Sequence, residues 1–370
     1  MMEMKRIIVF SIIALIIVSC SSEERYVIKG KIKDSDGITF YLRARKDGVF
    51  TNIDSAVSKK GSFAMKGGAI EYPQTVSIVA GSANKMVSFY LENSTISIHG
   101  SLDSLFKADI TGSKTNDEYK SYIESNKSLS EAYQSLNAAY IETMKVGDSD
   151  HITMIRSRID SAGKEMIKNQ KEFVVNNPAS FVTPAFLTGL SGSLEVNELE
   201  SYINNLDAVV SDLPPVKILK EKVAAMHAVE IGKKAPDFTM NDVDGKPVSL
   251  SSKIGTKLLL FDFWAAWCEP YRDDSPNTVK TYNEFHKKGF DILGVSLDNN
   301  KEDWLKAIKD DKLAWTHVSE LDSRNNSAAT LYVVNTIPSN FLLDEQGIII
   351  GKNLRGEDLY DKVKEILEEK

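Results

Sequence analysis

The stretch that decides the fold is residues 261–272, which read Phe-Asp-Phe-Trp-Ala-Ala-Trp-Cys-Glu-Pro-Tyr-Arg. Three leucines, 258–260, precede it, and an unbroken apolar run is typical of a strand buried on both faces of a sheet. Residues 277–288 follow with apolar side chains at helical spacing. Cys268 therefore lies where a buried strand leads into a helix, and the start of a helix favours a thiolate.

The residues around Cys268 resemble the active site of thioredoxin-fold proteins. Trp267, Cys268, Glu269 and Pro270 match the first four positions of the family's W-C-x-P-C motif, and Tyr271 stands where the second cysteine belongs. The resemblance implies a thioredoxin fold with Cys268 as the nucleophile. It also implies that Trp267, Glu269 and Pro270 contact the substrate.

Further motifs extend this resemblance over residues 232–370. Residues 232–238 read Gly-Lys-Lys-Ala-Pro-Asp-Phe and resemble the G-x-x-A-P-D-F entry of the TlpA/ResA and peroxiredoxin (AhpC/TSA, or redoxin) branch of the superfamily. Residues 244–250 are similar to that branch's early hairpin. After residue 257 strands alternate with helices, which predicts a mixed sheet with helices on both faces.

Asp262 lies six residues before Cys268. The resemblance places it where thioredoxin has a buried acid that accepts the proton of the resolving thiol. Its apolar neighbours Phe261 and Phe263 favour a buried carboxyl with a raised pKa, and the alternative is a solvated residue at a strand end.

Tyr271 and Arg272 belong to the first turn of the predicted helix. Tyr271 either supplies an O–H group to the thiolate or fills the space of the missing thiol and shields the site. Arg272 is expected to be solvated.

Pro338 matches the family's cis-proline, which lies beside the active-site cysteine and presents its backbone to an extended peptide. A cis bond is uncommon, at about 5–6% of X–Pro bonds, so this expectation rests on the resemblance. Ile337 and Ser339 would then flank the substrate.

The N-terminus is typical of an export signal. Lys5 and Arg6 precede an apolar run from Ile7 to Val18, too short for a bilayer span of roughly 20 residues. Its end, Ile-Val-Ser-Cys at 17–20, resembles the lipobox of bacterial lipoproteins, which implies lipidation of Cys20 and anchoring in the envelope of a Gram-negative-type bacterium. Cys268 would then be the one remaining thiol of the two cysteines.

The sequence predicts a multi-domain chain, because 370 residues are enough for two or three domains. Short alternating runs with turns between them predict a small β-sandwich or barrel, and a helical period follows. The tyrosines and methionines of the helical segment are expected to pack between helices. The predicted boundaries are a signal peptide 1–19, a tether 20–24, a β domain 25–112, a helical domain 113–230 and a thioredoxin-like domain 231–370.

Charge and residue spacing argue against nucleic acid, metal and phosphate-cofactor binding. A net charge of −7 without a basic patch argues against nucleic acid. The histidines are scattered and do not form pairs at metal-ligand spacing, so no metal is expected, and no glycine-rich phosphate loop indicates a cofactor. The oligomeric state stays open.

Three functions fit these residues. The first is a thiol-disulfide oxidoreductase that works through Cys268 alone, forming mixed disulfides with envelope proteins or peptides that an external thiol resolves. The second is a redox-silent module that binds extended peptides. The third is a one-cysteine peroxidase, ranked last because peroxiredoxins have Pro and Thr or Ser seven and three residues before the cysteine, where this chain has Phe261 and Ala265.

Overall fold

The computed structural model describes residues 25–46, 49–81, 85–323 and 325–368. The predicted signal peptide and the tether with Cys20 lie outside these residues. The chain divides into two compact units: an N-terminal unit that extends to Met166 and includes Ser180–Val182, and a C-terminal unit of Ile167–Ala179 and the chain from Thr183 onward. The domain boundaries proposed from the sequence stay predictions.

The N-terminal unit begins with an all-β region. Its strands are β1 (Val27–Lys33), β2 (Thr39–Lys46), β3 (Val49–Val57), β4 (Ser62–Lys66), β5 (Gln74–Ala80), β6 (Met86–Leu91), β7 (Thr95–Ser101) and β8 (Asp109–Thr111). They form two four-stranded sheets with the orders β4-β1-β7-β8 and β3-β2-β5-β6. A short 3-10 helix, Leu102–Lys107, precedes β8.

The two sheets share one apolar core. Alternate residues of β1 and β4 are buried, as expected for strands with one covered face. Phe40 of β2 stacks on Phe63 of β4 with ring centroids 4.3 Å apart, so side chains from both sheets meet in the core. The predicted β region is confirmed, and it is a sandwich.

Three helices follow in sequence: α1 (Lys114–Ser125), α2 (Lys127–Val146) and α3 (Ser149–Asn176). Gly147 ends α2 with a φ of 77°, the left-handed conformation that favours glycine at the end of a helix. Helix α2 has no fully buried residue, but its Tyr133 and Tyr140 are half-buried, and Tyr140 Oη accepts from Arg156 of α3 at 3.1 Å. The structure thus agrees with tyrosine packing between helices and not with deep core burial in α2.

The C-terminal unit takes in the end of α3 and four further helices. These are α4 (Thr183–Leu190), α5 (Val196–Asn204), α6 (Ala208–Ser211) and α7 (Pro214–Ala228). Their apolar faces form a core of their own around Leu187, Leu199, Ile203 and Leu219.

The rest of the C-terminal unit is a mixed sheet with helices. Its elements are β9 (Thr239–Asp242), β10 (Pro247–Ser249), β11 (Leu258–Trp264), α8 (Glu269–Phe285), β12 (Phe290–Ser296), α9 (Lys301–Asp310), β13 (Thr316–Ser319), α10 (Ser327–Leu331), β14 (Ser339–Asp344), β15 (Ile349–Lys352) and α11 (Gly356–Glu368). The strand order is β10-β9-β13-β12-β11-β14-β15. Strand β11 is central, parallel to β12 and antiparallel to β14.

Every residue of β11 is buried, as its apolar run predicts. Because side chains alternate along a strand, Phe261 and Phe263 contact Tyr332 on one face of the sheet, whereas Trp264 stacks on Tyr271 of α8 on the other. The predicted mixed α/β domain with helices on both faces is confirmed.

No helix among the described residues has the length and apolar character needed to cross a membrane.

Candidate functional site

Cys268 is the N-cap residue of α8. Its backbone N–H donates to the carbonyl of Ala265 at 3.0 Å, and its own carbonyl accepts from the N–H groups of Tyr271 and Arg272 at 3.1 Å. Pro270 lies in the first turn of the helix, where a missing N–H costs nothing. The Cys268 side chain is only 4% exposed and makes no capping hydrogen bond.

Two charged side chains hold the loop before Cys268. The N–H of Ala266 donates to both carboxylate oxygens of Asp298 at 3.0 Å. The Ala266 carbonyl accepts from Nη1 of Arg272 at 3.1 Å, while the same guanidinium makes a bidentate pair with Asp311. The expectation of a solvated Arg272 is therefore wrong, because this side chain fixes the loop.

Asp262 faces α8 because it lies two residues before Trp264 on the same face of β11. Its side chain is 3% exposed, and Oδ1 has no hydrogen-bond partner. Burial raises the pKa of Asp262 to about 8, against the opposing effect of the Arg355 guanidinium. The structure thus agrees with a buried carboxyl, protonated at neutral pH, and excludes the solvated alternative.

Tyr271 occupies the position of the missing second cysteine. Its ring is 3% exposed and stacks on Trp264 with centroids 5.2 Å apart. Burial and the neighbouring Asp262 carboxylate raise the pKa of Tyr271 well above its usual value. The hydroxyl lies close to Asp262 but has no partner at hydrogen-bonding geometry. Of the two predicted roles, the structure supports the ring that fills and shields the site.

His317 of β13 extends this buried aromatic group. Its ring packs edge-on against Trp264 at 5.2 Å, and neither ring nitrogen has a hydrogen-bond partner at good geometry. Burial lowers the pKa of His317 to about 3, so the ring is neutral at physiological pH. Gly294 makes room for it, since a Cβ there would lie 2.3 Å from His317 Nδ1.

The Ile337–Pro338 peptide bond is cis, as the family resemblance implies. The carbonyl of Pro338 accepts a hydrogen bond from Arg355, the residue that also acts electrostatically on Asp262. The Ser339 hydroxyl bonds Asn353 Oδ1 at 2.9 Å.

Trp267 and Ile337 border one groove, whose volume is about 800 Å³. Trp267 is 63% exposed, and Glu269 and Pro270 beside it are exposed as well. Of the sequence-predicted substrate residues, the structure thus brings Trp267 and Ile337 together. The substrate roles of all six residues, including Glu269, Pro270, Pro338 and Ser339, stay predictions.

Sequence reasoning missed Asp298, Asp311 and Arg355. Asp298 could have been found from the sequence, because it follows β12 directly. Strands β11 and β12 are parallel neighbours, so the residues after them lie at the same edge of the sheet. Asp311 and Arg355 meet their partners 39 and 17 residues away along the chain, and no local pattern indicates such pairs.

Within the part of the chain that the structure describes, no group of three or more His, Cys, Asp or Glu side chains could hold a metal ion.

A buried interior strand, a cysteine at the start of the following helix and a cis-proline directly before β14, the antiparallel neighbour of that strand, define a thioredoxin-like domain. Residues 231–352 match the model of the AhpC/TSA family, so this domain belongs to that family. Residues 26–119 match a second family, described as a domain of unknown function (DUF4369).

Several known proteins are similar to the thioredoxin-like domain. The thiol-disulfide oxidoreductase ResA of Bacillus thuringiensis subsp. konkukian is 27% identical over 139 residues, which are 38% of this chain and 78% of that protein. The solved thioredoxin domain of a thiol-disulfide oxidoreductase from Bacteroides vulgatus is 41% identical, with 38% of this chain and 99% of that one covered and a TM-score of 0.36. A thiol-disulfide oxidoreductase from Bacteroides fragilis is 36% identical, with 36% and 100% covered and a TM-score of 0.35.

Proposed function

We propose that this protein is a thiol-disulfide oxidoreductase that acts through Cys268 alone. One observation supports this function above the others. Cys268 caps α8 directly after the buried central strand, in a domain whose relatives include thiol-disulfide oxidoreductases. The partial positive charge at the start of a helix favours the thiolate, which is the attacking form in disulfide exchange.

The reaction has two balanced steps. The Cys268 thiolate attacks one sulfur of a substrate disulfide, so that a mixed disulfide forms and the other substrate sulfur leaves as a thiolate. An external thiolate then attacks the substrate sulfur of the mixed disulfide, which releases the Cys268 thiolate and leaves the substrate joined to that external thiol. Turnover depends on the external thiol because Tyr271 replaces the resolving cysteine.

Asp262 adds a buried carboxyl on the face of β11 that packs against α8, and its pKa of about 8 keeps this carboxyl mostly protonated at neutral pH. Tyr271 keeps water out of this side of the site, because its ring closes over Trp264.

The test is a trapping experiment on the full chain carrying Cys20→Ala, which leaves Cys268 as its one thiol. Incubation with oxidised glutathione should give one glutathione adduct on Cys268, seen by intact mass, and excess reduced thiol should remove it. The matched control is the same chain with Cys268→Ser. An adduct absent from both proteins, with Cys268 still open to alkylation after unfolding, would refute the exchange function.

A redox-silent peptide-binding module is the second candidate. It is favoured by the low exposure of Cys268 and by a Tyr271 hydroxyl that makes no hydrogen bond. This alternative predicts that Cys268→Ser leaves peptide binding unchanged while no mixed disulfide forms with any disulfide offered.

We further propose that Cys20 is lipidated and anchors the chain in the bacterial envelope, where disulfides persist. The lipobox-like Ile-Val-Ser-Cys at 17–20 supports this location. Fractionation of cells should find the wild type with the membranes and Cys20→Ala released from them. Equal release of both proteins would contradict the anchor.

A further inference from the structure

Helix α7 forms one wall of the groove that Trp267 and Ile337 border. The groove is lined on one side by Trp267, Leu297, Val334 and Ile337 from the thioredoxin-like domain. Its other side is made by Ile218, Glu221, Lys222 and Ala225, which all belong to α7. Both sides lie within the C-terminal unit.

The four α7 residues that line the groove lie on one face of the helix. Positions 218, 221, 222 and 225 follow the i, i+3, i+4, i+7 pattern of a single helix face. A different set, Val216, Leu219 and Val223, is buried against the neighbouring helices. Helix packing therefore does not explain why Ile218 is apolar.

Large apolar side chains are exposed on both walls. Ile218 is 64% exposed and Trp267 is 63% exposed, although each borders the same groove. Exposed apolar surface on two facing walls is a feature of binding grooves, since contact with a partner removes it from water.

The groove also offers backbone groups. Among the described residues, the N–H groups of Asn335, Thr336 and Ile337 find no hydrogen-bond partner in the protein, and these residues line the groove just before the cis-proline. An extended polypeptide satisfies such groups through its own backbone while its side chains enter the apolar walls. A small disulfide lacks that backbone.

We propose that α7 is the specificity-determining wall of the substrate groove and selects protein substrates in which an extended segment with apolar side chains flanks the reacting cysteine. This inference rests on the proposed exchange function and adds the substrate class. Helix α7, at Pro214–Ala228, lies between the two matched family regions and outside both.

The test compares exchange rates of the full chain with two disulfide peptides. They differ only in the residues that flank the cysteine, Leu and Val in one and Ser and Gly in the other. The wild type should react about tenfold faster with the apolar peptide, which is the discrimination typical of a small apolar contact. Ile218→Glu should bring the ratio of the two rates close to one, and Ile218→Ala should lower it partially.

The matched control is Val209→Glu. Val209 is also an exposed apolar residue of the helical region, at 53%, but does not border the groove, so its ratio should equal that of the wild type. An unchanged ratio in Ile218→Glu, or an equal fall in Val209→Glu, would overturn the proposal. So would concentration-dependent dimerisation that Ile218→Glu abolishes, because the groove would then hold a second copy of the chain. Failure of exchange with oxidised glutathione as well would instead refute the proposed function itself.

Discussion

The N-terminal unit and the thioredoxin-like domain differ in how they treat buried polar side chains. In the N-terminal unit these groups are paired: Ser35 Oγ lies 2.9 Å from Ser58 Oγ, and Asn116 bonds both the N–H and the carbonyl of Tyr90. In the thioredoxin-like domain, the buried Asp262, Tyr271 and His317 carry polar atoms without a partner. Among the described residues, every buried side-chain atom of this kind lies between 262 and 326.

The unpaired groups lower the stability of the thioredoxin-like domain. An unpaired buried donor or acceptor costs about 1–3 kcal/mol. Such groups are expected where function uses them. In this chain Asp262, Trp264 and Tyr271 of this set belong to β11 and α8, the elements on either side of Cys268, and the others lie on later elements of the same domain.

The largest expected effect concerns Asp262. Its pKa of about 8 in the folded state exceeds the ordinary 3.8, so between these values the folded protein binds more protons and loses stability as pH rises. The loss can reach about 1.4 kcal/mol per pH unit. Asp262→Asn should remove this slope, so that the variant gains stability over the wild type from pH 5 to pH 9 in urea denaturation.

The exposed Asp273 provides the control, since Asp273→Asn should keep the wild-type slope. Parallel curves for the wild type and Asp262→Asn would mean that the carboxyl is not protonated in the folded protein.

His317 should make stability depend on pH in the acid range, over a narrower interval than Asp262 does. Its folded pKa of about 3 is below the ordinary 6.5, so the unfolded chain binds the extra proton and stability falls as pH drops from about 6.5 toward 3. His317→Phe keeps an aromatic ring beside Trp264 and should make the acid unfolding curve shallower. The exposed His99 serves as the control. A steep acid unfolding curve that is retained in His317→Phe but lost in His99→Phe would show that His317 does not cause the acid sensitivity.

Asn116→Ala tests the contribution of a buried polar side chain whose hydrogen bonds are made. The change leaves the N–H and the carbonyl of Tyr90 without their partners, which should lower the free energy of unfolding by about 2–4 kcal/mol. Hydrogen exchange of the N-terminal unit in urea measures this separately from the rest of the chain. The control is Asn52→Ala, which removes an exposed hydrogen bond from Arg43 and should cost less than about 0.5 kcal/mol. Equal costs would show that burial of the paired groups is not the cause.

Tyr271→Phe should have the smallest effect. It removes a buried hydroxyl that has no hydrogen-bond partner and keeps the ring stacked on Trp264, so stability should stay within about 1 kcal/mol of the wild type or rise. A loss above about 2 kcal/mol in urea denaturation would mean that the hydroxyl is bonded in solution.

Much of the fold could be predicted from local patterns. The apolar run of β11 and the glycine break after α2 predict elements that the structure contains. Strand β3 was not predicted, because it lies at a sheet edge with almost every residue exposed. It has no buried face and therefore no alternation of apolar and polar residues. The stripe of α2 predicted helix correctly but not burial, since periodicity gives the face of a helix and not what covers it.

The candidate site could be predicted only where a family motif marks it. Motifs identify Cys268, Tyr271 and Pro338, and the spacing to Cys268 identifies Asp262. The loop contacts of Asp298 with Ala266 and of Arg355 with Pro338 join residues from different strands and helices. The contribution of α7 to the groove had no signal in the sequence, because Ile218 is one apolar residue in an ordinary helix.

The most direct test of the account is the rate at which Cys268 is alkylated by iodoacetamide between pH 5 and pH 9, in the folded full chain carrying Cys20→Ala. A Cys268 that carries out exchange should react faster than glutathione at pH 6, because the start of α8 favours the thiolate. A folded Cys268 that reacts more slowly than glutathione at every pH would contradict the exchange function and favour a groove kept for binding alone.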